Sequence, residues 1–415
     1  MTVRSDAIVL GAGIVGVSTA LNLQQRGWSV TLVDREQPGL GTSFGNGGLI
    51  QREAIIPYSF PQKIGTILSY ALNRRRDSYY HLNELLQLAP IIYKYWINGR
   101  PDALARTIRA NIPLYEHCVT EHFALAKAAG VEAMFRPNGW IRAFRSAKTR
   151  DAFLTEHEAA KQYGVDGTVL SKDELALIEP HITAPLVGGL QYRAPYSLAN
   201  PLALTKAYET LFVSRGGKVL TGDARSMTCG NDNRWEVTTS AGSASAPNIT
   251  LALGPWSDDA VRRLGYKIPF FVKRGYHMHY KTKGNAVLNS PVYDVDGGYM
   301  LTPMDDGIRL VTGAEFSRRD APPSPIQLNR VEPWAREFFP IGARKASEPW
   351  IGSRPCLPDM LPVVGAAPAH KGLWFAFGHA HHGLTLAAVT GRLIAELMTN
   401  ETPFTDPRPY RIDRF

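Results

Sequence analysis

The pattern of apolar and polar positions over the first 50 residues spells strand, helix and strand in succession. A short apolar run, Ala7 to Leu10, leads directly into Gly11-Ala-Gly-Ile-Val-Gly16, and a helix follows from Ile14 to about Arg26. A second apolar strand, Val30 to Val33, closes at Asp34. In such a unit Gly11 allows a tight turn, Gly13 lets the backbone approach a pyrophosphate, and Gly16 lets helix and strand pack closely. The helix N-terminus offers free N–H groups and a positive dipole end to phosphate. Asp34 can accept hydrogen bonds from a ribose hydroxyl. The pattern predicts a bound dinucleotide.

Behind this unit, Gly41-Thr-Ser-Phe-Gly-Asn-Gly-Gly48 is a polar loop rich in backbone donors, suited to a long cofactor lying against the main chain. From Gln51 to about Arg100 the text changes to Pro57, Pro61, the apolar run Ile64 to Leu72, then Arg74-Arg-Arg76 and the aromatics Tyr79, Tyr80, Tyr93, Tyr95 and Trp96. That apolar run reads either as a core helix with a wet end or as an element lying on a membrane surface. Residues 101–165 read as two or three long helices, one from Leu114 to Ala129 with Pro113 at its start and Gly130 past its end. Met134 to Phe144 reads as a hairpin, Ser171-Lys-Asp-Glu174 as a capping box, and Pro201 to Arg215 as a helix. Short strands are predicted over Val219 to Thr239, a buried strand from Ile249 to Leu253, and more β structure from Lys267 to Thr312. The chain ends with a strand (Leu373 to Phe377), a glycine- and histidine-rich turn, and a helix through Met398. Strand–glycine–helix units at both ends with mixed β material between them predict a mixed α/β fold. In it, a Rossmann-type domain is assembled from residues 1–50, 185–265 and 345–415, and a substrate domain of sheet and helix from residues 51–184 and 266–344.

At 415 residues, 44% hydrophobic and 20% charged, the chain has an ordinary globular composition and enough length for two domains. Cys118, Cys229 and Cys356 lie far apart and form no CxxC pair, which argues against a disulfide framework and for a reducing compartment. The first strand starts too early for a signal peptide, and no apolar stretch reaches the roughly 18 residues that span a bilayer. A cytoplasmic location is expected, with peripheral contact at the inner membrane as the alternative. The net charge of +9 reads as a solvated basic surface or as attraction to anionic lipid or acidic substrates. Scattered basic residues and no nucleic-acid motif argue against nucleic acid as partner. His277, His279, His379, His381 and His382 have no cysteine or carboxylate spaced to complete a metal site, so no metal is expected.

Seven landmarks occur in a definite order: Gly11 to Gly16, Thr42 to Gly48, Lys273-Arg-Gly-Tyr276, Trp350-Ile-Gly-Ser-Arg-Pro355, Pro358-Asp359, Leu361-Pro-Val-Val-Gly365 and Gly378-His-Ala-His-His-Gly-Leu-Thr385. Through them, and over nearly its whole length, the chain resembles the FAD-dependent amine and amino-acid oxidoreductases of the D-amino acid oxidase superfamily. It is most similar to the bacterial D-amino acid dehydrogenase branch, which includes hydroxyproline dehydrogenases.

The resemblance implies FAD, bound non-covalently, because Cys356 does not match the linking cysteine of the sarcosine-oxidising relatives. It implies that Gly11, Ala12, Gly13, Ile14, Val15, Gly16, Asp34 and Arg35 serve the adenosine diphosphate half. Thr42, Ser43, Asn46, Gly47, Gly48 and Leu49 would line the pyrophosphate and isoalloxazine, and Leu253 with Gly254 would close over the nucleotide. Gly352, Gly378, His379, Gly383, Leu384 and Thr385 would meet the flavin ring, with the last helix N-terminus at the edge where the reduced ring carries negative charge. Arg354 matches the arginine that pairs with the substrate carboxylate, Tyr276 and Tyr299 match pocket-lining aromatics, and His381 matches a second substrate-binding position.

The implied reaction oxidises the Cα–N bond of a D-amino or cyclic imino acid by hydride transfer to flavin N5, with electrons passed to a quinone or partner protein. The Arg74-Arg-Arg76 region is a candidate for membrane docking. The alternatives are a glycine- or sarcosine-type oxidase using oxygen, and the flavin subunit of a multi-chain dehydrogenase whose iron–sulfur relay would sit on another chain. Side-chain specificity is expected within residues 51–110 and 270–320.

Overall fold

The strand–glycine–helix unit at the N-terminus forms as Ala7–Leu10, Ile14–Gln25 and Val30–Asp34. The computed structural model, which describes residues 2–415, sets these strands in the middle of a six-stranded sheet. Its spatial order is Lys218–Thr221, Val30–Asp34, Ala7–Leu10, Asn248–Leu251, Leu373–Phe377 and Val363–Ala366, parallel throughout except for the last strand. All four residues of Ala7–Leu10 are buried. A parallel strand covered on both faces demands such an unbroken apolar run. The Ile14–Gln25 and Gly383–Met398 helices pack on one face, and a four-stranded sheet containing Trp235–Thr239 and Gly242–Ala246 packs on the other.

An eleven-stranded mixed sheet forms the second layer. Its spine is the 12-residue strand Phe271–Thr282, which pairs with Gly307–Thr312, Ala314–Phe316, Ile341–Arg344 and Trp350–Cys356. Tyr276, Met278, Tyr280, Tyr299 and Leu301 pack with the Ile326–Phe338 helix in one core on its far side. The opposite face carries Met300 and turns toward the nucleotide domain: Met300 Sδ lies 3.8 Å from the point a Cβ on Gly47 would occupy.

Several expectations are corrected. Gly188–Tyr192, assigned from sequence to the nucleotide domain, is a strand of the large sheet between Trp140–Phe144 and Thr168–Leu170. Trp350–Cys356 likewise joins the large sheet, in register with Phe271–His277. Conversely, Pro101–Ala129 lies in a substrate-domain segment but packs on the C-terminal helix. It is one 29-residue helix with Pro113 inside it rather than at its start. Leu114, Tyr115 and Cys118 are buried just beyond that proline, and their packing offsets the roughly 3 kcal/mol a helix-interior proline costs. Phe135–Arg136 and Trp140–Phe144 do not form a hairpin, since the first pairs with Tyr196–Leu198 and the second enters the large sheet. The Ser171–Glu174 capping box forms with both reciprocal hydrogen bonds.

The reading of Ile64–Ala71 as a core helix is overturned. The helix forms, but it has no buried residue, and Ile64, Leu68 and Leu72 are 75%, 60% and 67% exposed. The following helix, Leu82–Asn98, turns Leu82, Leu86 and Tyr93 outward in the same way. Periodicity identified the helix and its apolar stripe, but not the direction the stripe faces.

Candidate active site

A cavity of about 1230 Å³ runs between the two sheets and takes walls from both domains. It exceeds the roughly 300–1,000 Å³ of a pocket for one drug-sized molecule. At one end the strand–helix turn closes on itself so tightly that only glycine fits: Gly11 has φ +102°, and a Cβ there would overlap the Ala252 carbonyl, while one on Gly16 would overlap the Gly11 carbonyl. Gly13, Ile14 and Val15 line the cavity where the helix begins. The Ile14 N–H donates to Ser43 Oγ at 3.0 Å. Asp34 accepts from the Ala12 N–H (2.7 Å) and the Glu36 N–H (3.0 Å), which orients its carboxylate on the cavity wall. Arg35 lies 4.3 Å over the Trp256 ring, and Leu253 and Gly254 border the same end. Ala12 and Gly16 stand behind this wall.

Thr42, Ser43, Asn46, Gly47 and Leu49 line the middle. Their loop is held from behind by Arg309, whose Nη1 donates to the carbonyls of Phe44 (3.3 Å) and Asn46 (2.5 Å) while Nε donates to His279 (2.7 Å). Burial without an acid pushes the Arg309 guanidinium down to about 10. Nothing local in the sequence marks this residue; sheet register brings it to the loop. At the far end Gly352, His379, Gly383 and Leu384 line the cavity. Thr385 lies behind them and ties the helix to the adjacent strand, donating to the Leu49 carbonyl at 3.1 Å and accepting from the Gln51 N–H at 3.2 Å. Gly48 and Gly378 also sit behind the wall rather than on it. His379 bonds Thr390 Oγ1 at 2.9 Å, and burial pushes its pKa down to about 3. Two helix N-termini thus open on one cavity, and the turns beside them contribute glycines and small polar residues to an otherwise largely apolar wall. That donor set fits a dinucleotide with a flat ring system at its second end.

Beside that far end, Arg354 faces Lys273 across paired strands. Its Nη1 donates to the carbonyls of Gly313 (2.9 Å) and Arg274 (3.2 Å), and Nη2 donates to that of Thr312 (3.3 Å). Among the described residues no carboxylate pairs with it, so a cation held only by carbonyls faces the cavity. Gly275 makes this possible: a Cβ there would come within 2.5 Å of both terminal nitrogens. Lys273 is 3% exposed, donates to the Tyr95 hydroxyl at 2.8 Å and also lines the cavity. The sequence did not single it out, because strand parity decides that Lys273 faces in and Arg274 faces away, onto Glu315 at 2.8 Å. His381 lines the same region with Nδ1 buried and unpartnered. Burial, and then the charges of Arg354 and Lys273, hold its pKa well below the ordinary histidine value, so the imidazole is neutral.

Tyr276 and Tyr299 line the cavity as expected, but not through their hydroxyls. Both border the cavity, yet their hydroxyls are engaged in the layer behind the sheet. Tyr276 donates to Glu315 at 3.0 Å and accepts from the Ser324 N–H at 2.6 Å, and Tyr299 donates to Asp294 at 2.8 Å. A strand presents alternate side chains to opposite faces, so these two hydroxyls point away from the cavity, while Tyr293, on the opposite strand face, and Tyr58, on a loop, are among the aromatics that line it.

The FAD dependent oxidoreductase family matches residues 6–397 of this chain. The chain belongs to that family, within the D-amino acid oxidase superfamily. This FAD-dependent oxidoreductase is 27% identical to the D-amino-acid oxidase of Bradyrhizobium diazoefficiens, over 98% of each chain. It is 28% identical to D-amino acid dehydrogenase 1 of Mesorhizobium japonicum, over 98% of this chain and 99% of the other. In fold it is similar to glycine oxidase from Geobacillus kaustophilus, with TM-score 0.76, 19% identity and 99% of each chain covered. The fold is also similar to that of L-proline dehydrogenase from P. horikoshii, with TM-score 0.75 and 19% identity over 100% and 98% of the two chains. The FAD-dependent oxidoreductase is therefore an amino acid oxidoreductase with FAD as its cofactor.

Proposed function

We propose that this enzyme oxidises the C–N bond of a D-amino acid or a cyclic imino acid such as hydroxy-D-proline, and passes the electrons to a quinone or a partner protein. The observation that carries this reading is the Arg354 guanidinium, held by three carbonyls, without an acid partner among the described residues, on the wall of the cofactor cavity. When bound, FAD supplies the acceptor for the hydride that leaves Cα. The protein's own task is positioning, which a fixed geometry can make worth several orders of magnitude in rate. Arg354 holds the carboxylate bidentately and Lys273 adds a second cation beside it. Neutral His381, with a free ring nitrogen, hydrogen-bonds the substrate nitrogen. Cys356 does not line the cavity, which supports non-covalent FAD.

Replacing Arg354 with Ala is expected to raise KM on the order of a hundredfold or more while FAD content is retained, because one charge-assisted anchor is removed. Unchanged steady-state kinetics would remove the assignment. As to the acceptor, Ile67, Tyr70, Ile92 and Tyr95 line the cavity from the two helices whose other faces expose Ile64, Leu68, Leu82 and Leu86. Lys63 and Arg74, which flank the first helix in sequence, and Lys94 and Arg100, in and just past the second, are exposed. Exposed apolar stripes with basic residues on the same two helices and at their ends suit an anionic bilayer and hence a lipid-soluble quinone. The oxidase reading draws on the relative named D-amino-acid oxidase. Peroxide formed during turnover in air would favour it over the quinone.

A further inference from the structure

Beyond Arg354 and Lys273, the same cavity is walled by Glu53, Trp140, Arg142, Phe153 and Tyr192. Arg142 pairs with Tyr293 across the sheet, Tyr293 with Met300, and Met300 with Val311. Directly paired residues share a sheet face, so Arg142 stands on the face that looks toward the cofactor loop. The polar atoms of this lobe are incompletely matched. Glu53 is buried; its Oε1 accepts from Trp140 Nε1 at 2.7 Å and from Gln51 Nε2 at 3.0 Å, while Oε2 is buried with no partner. Arg142 lies 5.0 Å over the Phe153 ring and 5.5 Å over that of Tyr192; its Nε is buried with no partner, and no acid among the described residues pairs with it. Each orphaned buried group carries a desolvation cost that a ligand can relieve.

We propose that Glu53 and Arg142 form a subsite that recognises a hydroxyl group on the side chain or ring of the substrate. This rests on the oxidation of a D-amino or imino acid proposed above and specifies which one. One unmatched carboxyl oxygen and one unmatched N–H call for a group that both donates and accepts. A hydroxyl does both, whereas an ammonium would face Arg142 with like charge and an ionised side-chain carboxylate would face Glu53. Burial pushes Glu53 above the usual carboxylate range. The hydrogen bonds from Trp140 and Gln51 and the charge of Arg142 oppose that shift, and the ionised carboxylate accepts from the hydroxyl while the Arg142 Nε–H donates to the hydroxyl oxygen.

The test compares kcat/KM of the holoenzyme, with an artificial dye as electron acceptor, for substrate pairs in which a hydroxyl is added or takes the place of a methyl group: 4-hydroxy-D-proline and D-proline, D-threonine and D-valine, D-homoserine and D-norvaline. A site built to hydrogen-bond a hydroxyl discriminates far more strongly than an apolar pocket does, so at least one pair is expected to favour the hydroxylated member by about 100-fold or more. In Glu53→Gln and Arg142→Met that ratio is expected to fall at least about tenfold. The ratio is taken within each variant, which cancels any loss of folded enzyme. Arg142→Lys keeps the charge without the Nε–H and is expected to lower the ratio too, should the Met variant fail to fold.

The inference is overturned if wild type oxidises the pairs without a hydroxyl preference. It also fails if D-aspartate or D-glutamate is the preferred substrate, or if the preference survives all substitutions. A loss of FAD with the ratio intact would assign the lobe to the cofactor. If no D-amino or imino acid is oxidised at all, the function proposed above fails first.

Discussion

Arg354 can point into the cavity only because position 275 has no side chain. Its guanidinium is already bonded to three carbonyls, so it cannot retreat from a methyl group built 2.5 Å away without losing them. Gly275→Ala is therefore expected to raise KM by roughly one to two orders of magnitude, as misplacement of an anchoring group does. The flavin absorbance of the purified variant should be unchanged, since Gly275 bears on the anchor and not on the cofactor loop.

A second residue sets a pH dependence. Glu179 is 1% exposed and accepts from the backbone N–H groups of Ser290 (2.7 Å) and Asn289 (2.9 Å). Burial outweighs these bonds and raises its pKa from 4.5 to about 7. The folded state then holds the proton more firmly than the unfolded state does. The stability this contributes is fully present below pH 4.5 and is lost as pH rises through about 7. Glu179→Gln should flatten that part of the profile, by at most about 1.4 kcal/mol per pH unit in urea unfolding measured across it.

At the scale of elements, the Ile64–Ala71 and Leu82–Asn98 helices show how far pattern reading reaches. Leu68 and Leu72 recur at helical spacing, as do Leu82 and Leu86, so the stripes are legible, but the stripes face solvent. Each helix presents its other side to the cofactor cavity through Ile67, Tyr70, Ile92 and Tyr95, a side no more apolar in composition than the exposed one. No local rule separates the two sides. If the outer stripes meet a bilayer, wild-type protein should sediment with anionic vesicles in a salt-sensitive manner, and Leu68→Glu with Leu86→Glu should abolish this. Indifference of wild type to vesicles would remove the membrane reading. Pro113 illustrates the opposite limit, a local helix-start signal overridden by the burial of Leu114 and Tyr115 just beyond it, so that one helix runs through the proline.

At the scale of the molecule, the cavity exists only between two sheets. The Rossmann sheet supplies the phosphate end, and the large sheet supplies Lys273, Met300 and Arg354. A ligand that bridges both layers stabilises the folded state by mass action, about 2.7 kcal/mol at a hundred times its Kd. FAD-stripped protein should therefore melt at a lower temperature and recover its midpoint on adding FAD. An unchanged midpoint would mean that the two layers close without the cofactor. Behind the large sheet, Arg274 and Glu315 form an ion pair at 2.8 Å with side chains no more than 1% exposed. Together with the Tyr276 hydroxyl it forms the rigid backing on which the reactant-facing side rests.

The cofactor end of this protein was determined by its sequence, because every part of it is local. An apolar strand, three glycines at fixed spacing, a helix and a terminal acid all fall within Ala7 to Asp34, and their geometry needs no distant partner. The candidate anchoring arginine, Arg354, was legible for a related reason, since Gly352 to Pro355 form a contiguous signature. The faces of the large sheet were decided by tertiary structure alone. Which of two neighbours points at the reactant depends on pairing register between strands far apart in the chain, and a shift of one residue exchanges inside for outside. That single physical fact turned the hydroxyls of Tyr276 and Tyr299 away, brought Lys273 in, and carried Arg142 to the wall of a cavity that Arg354 reaches from another strand.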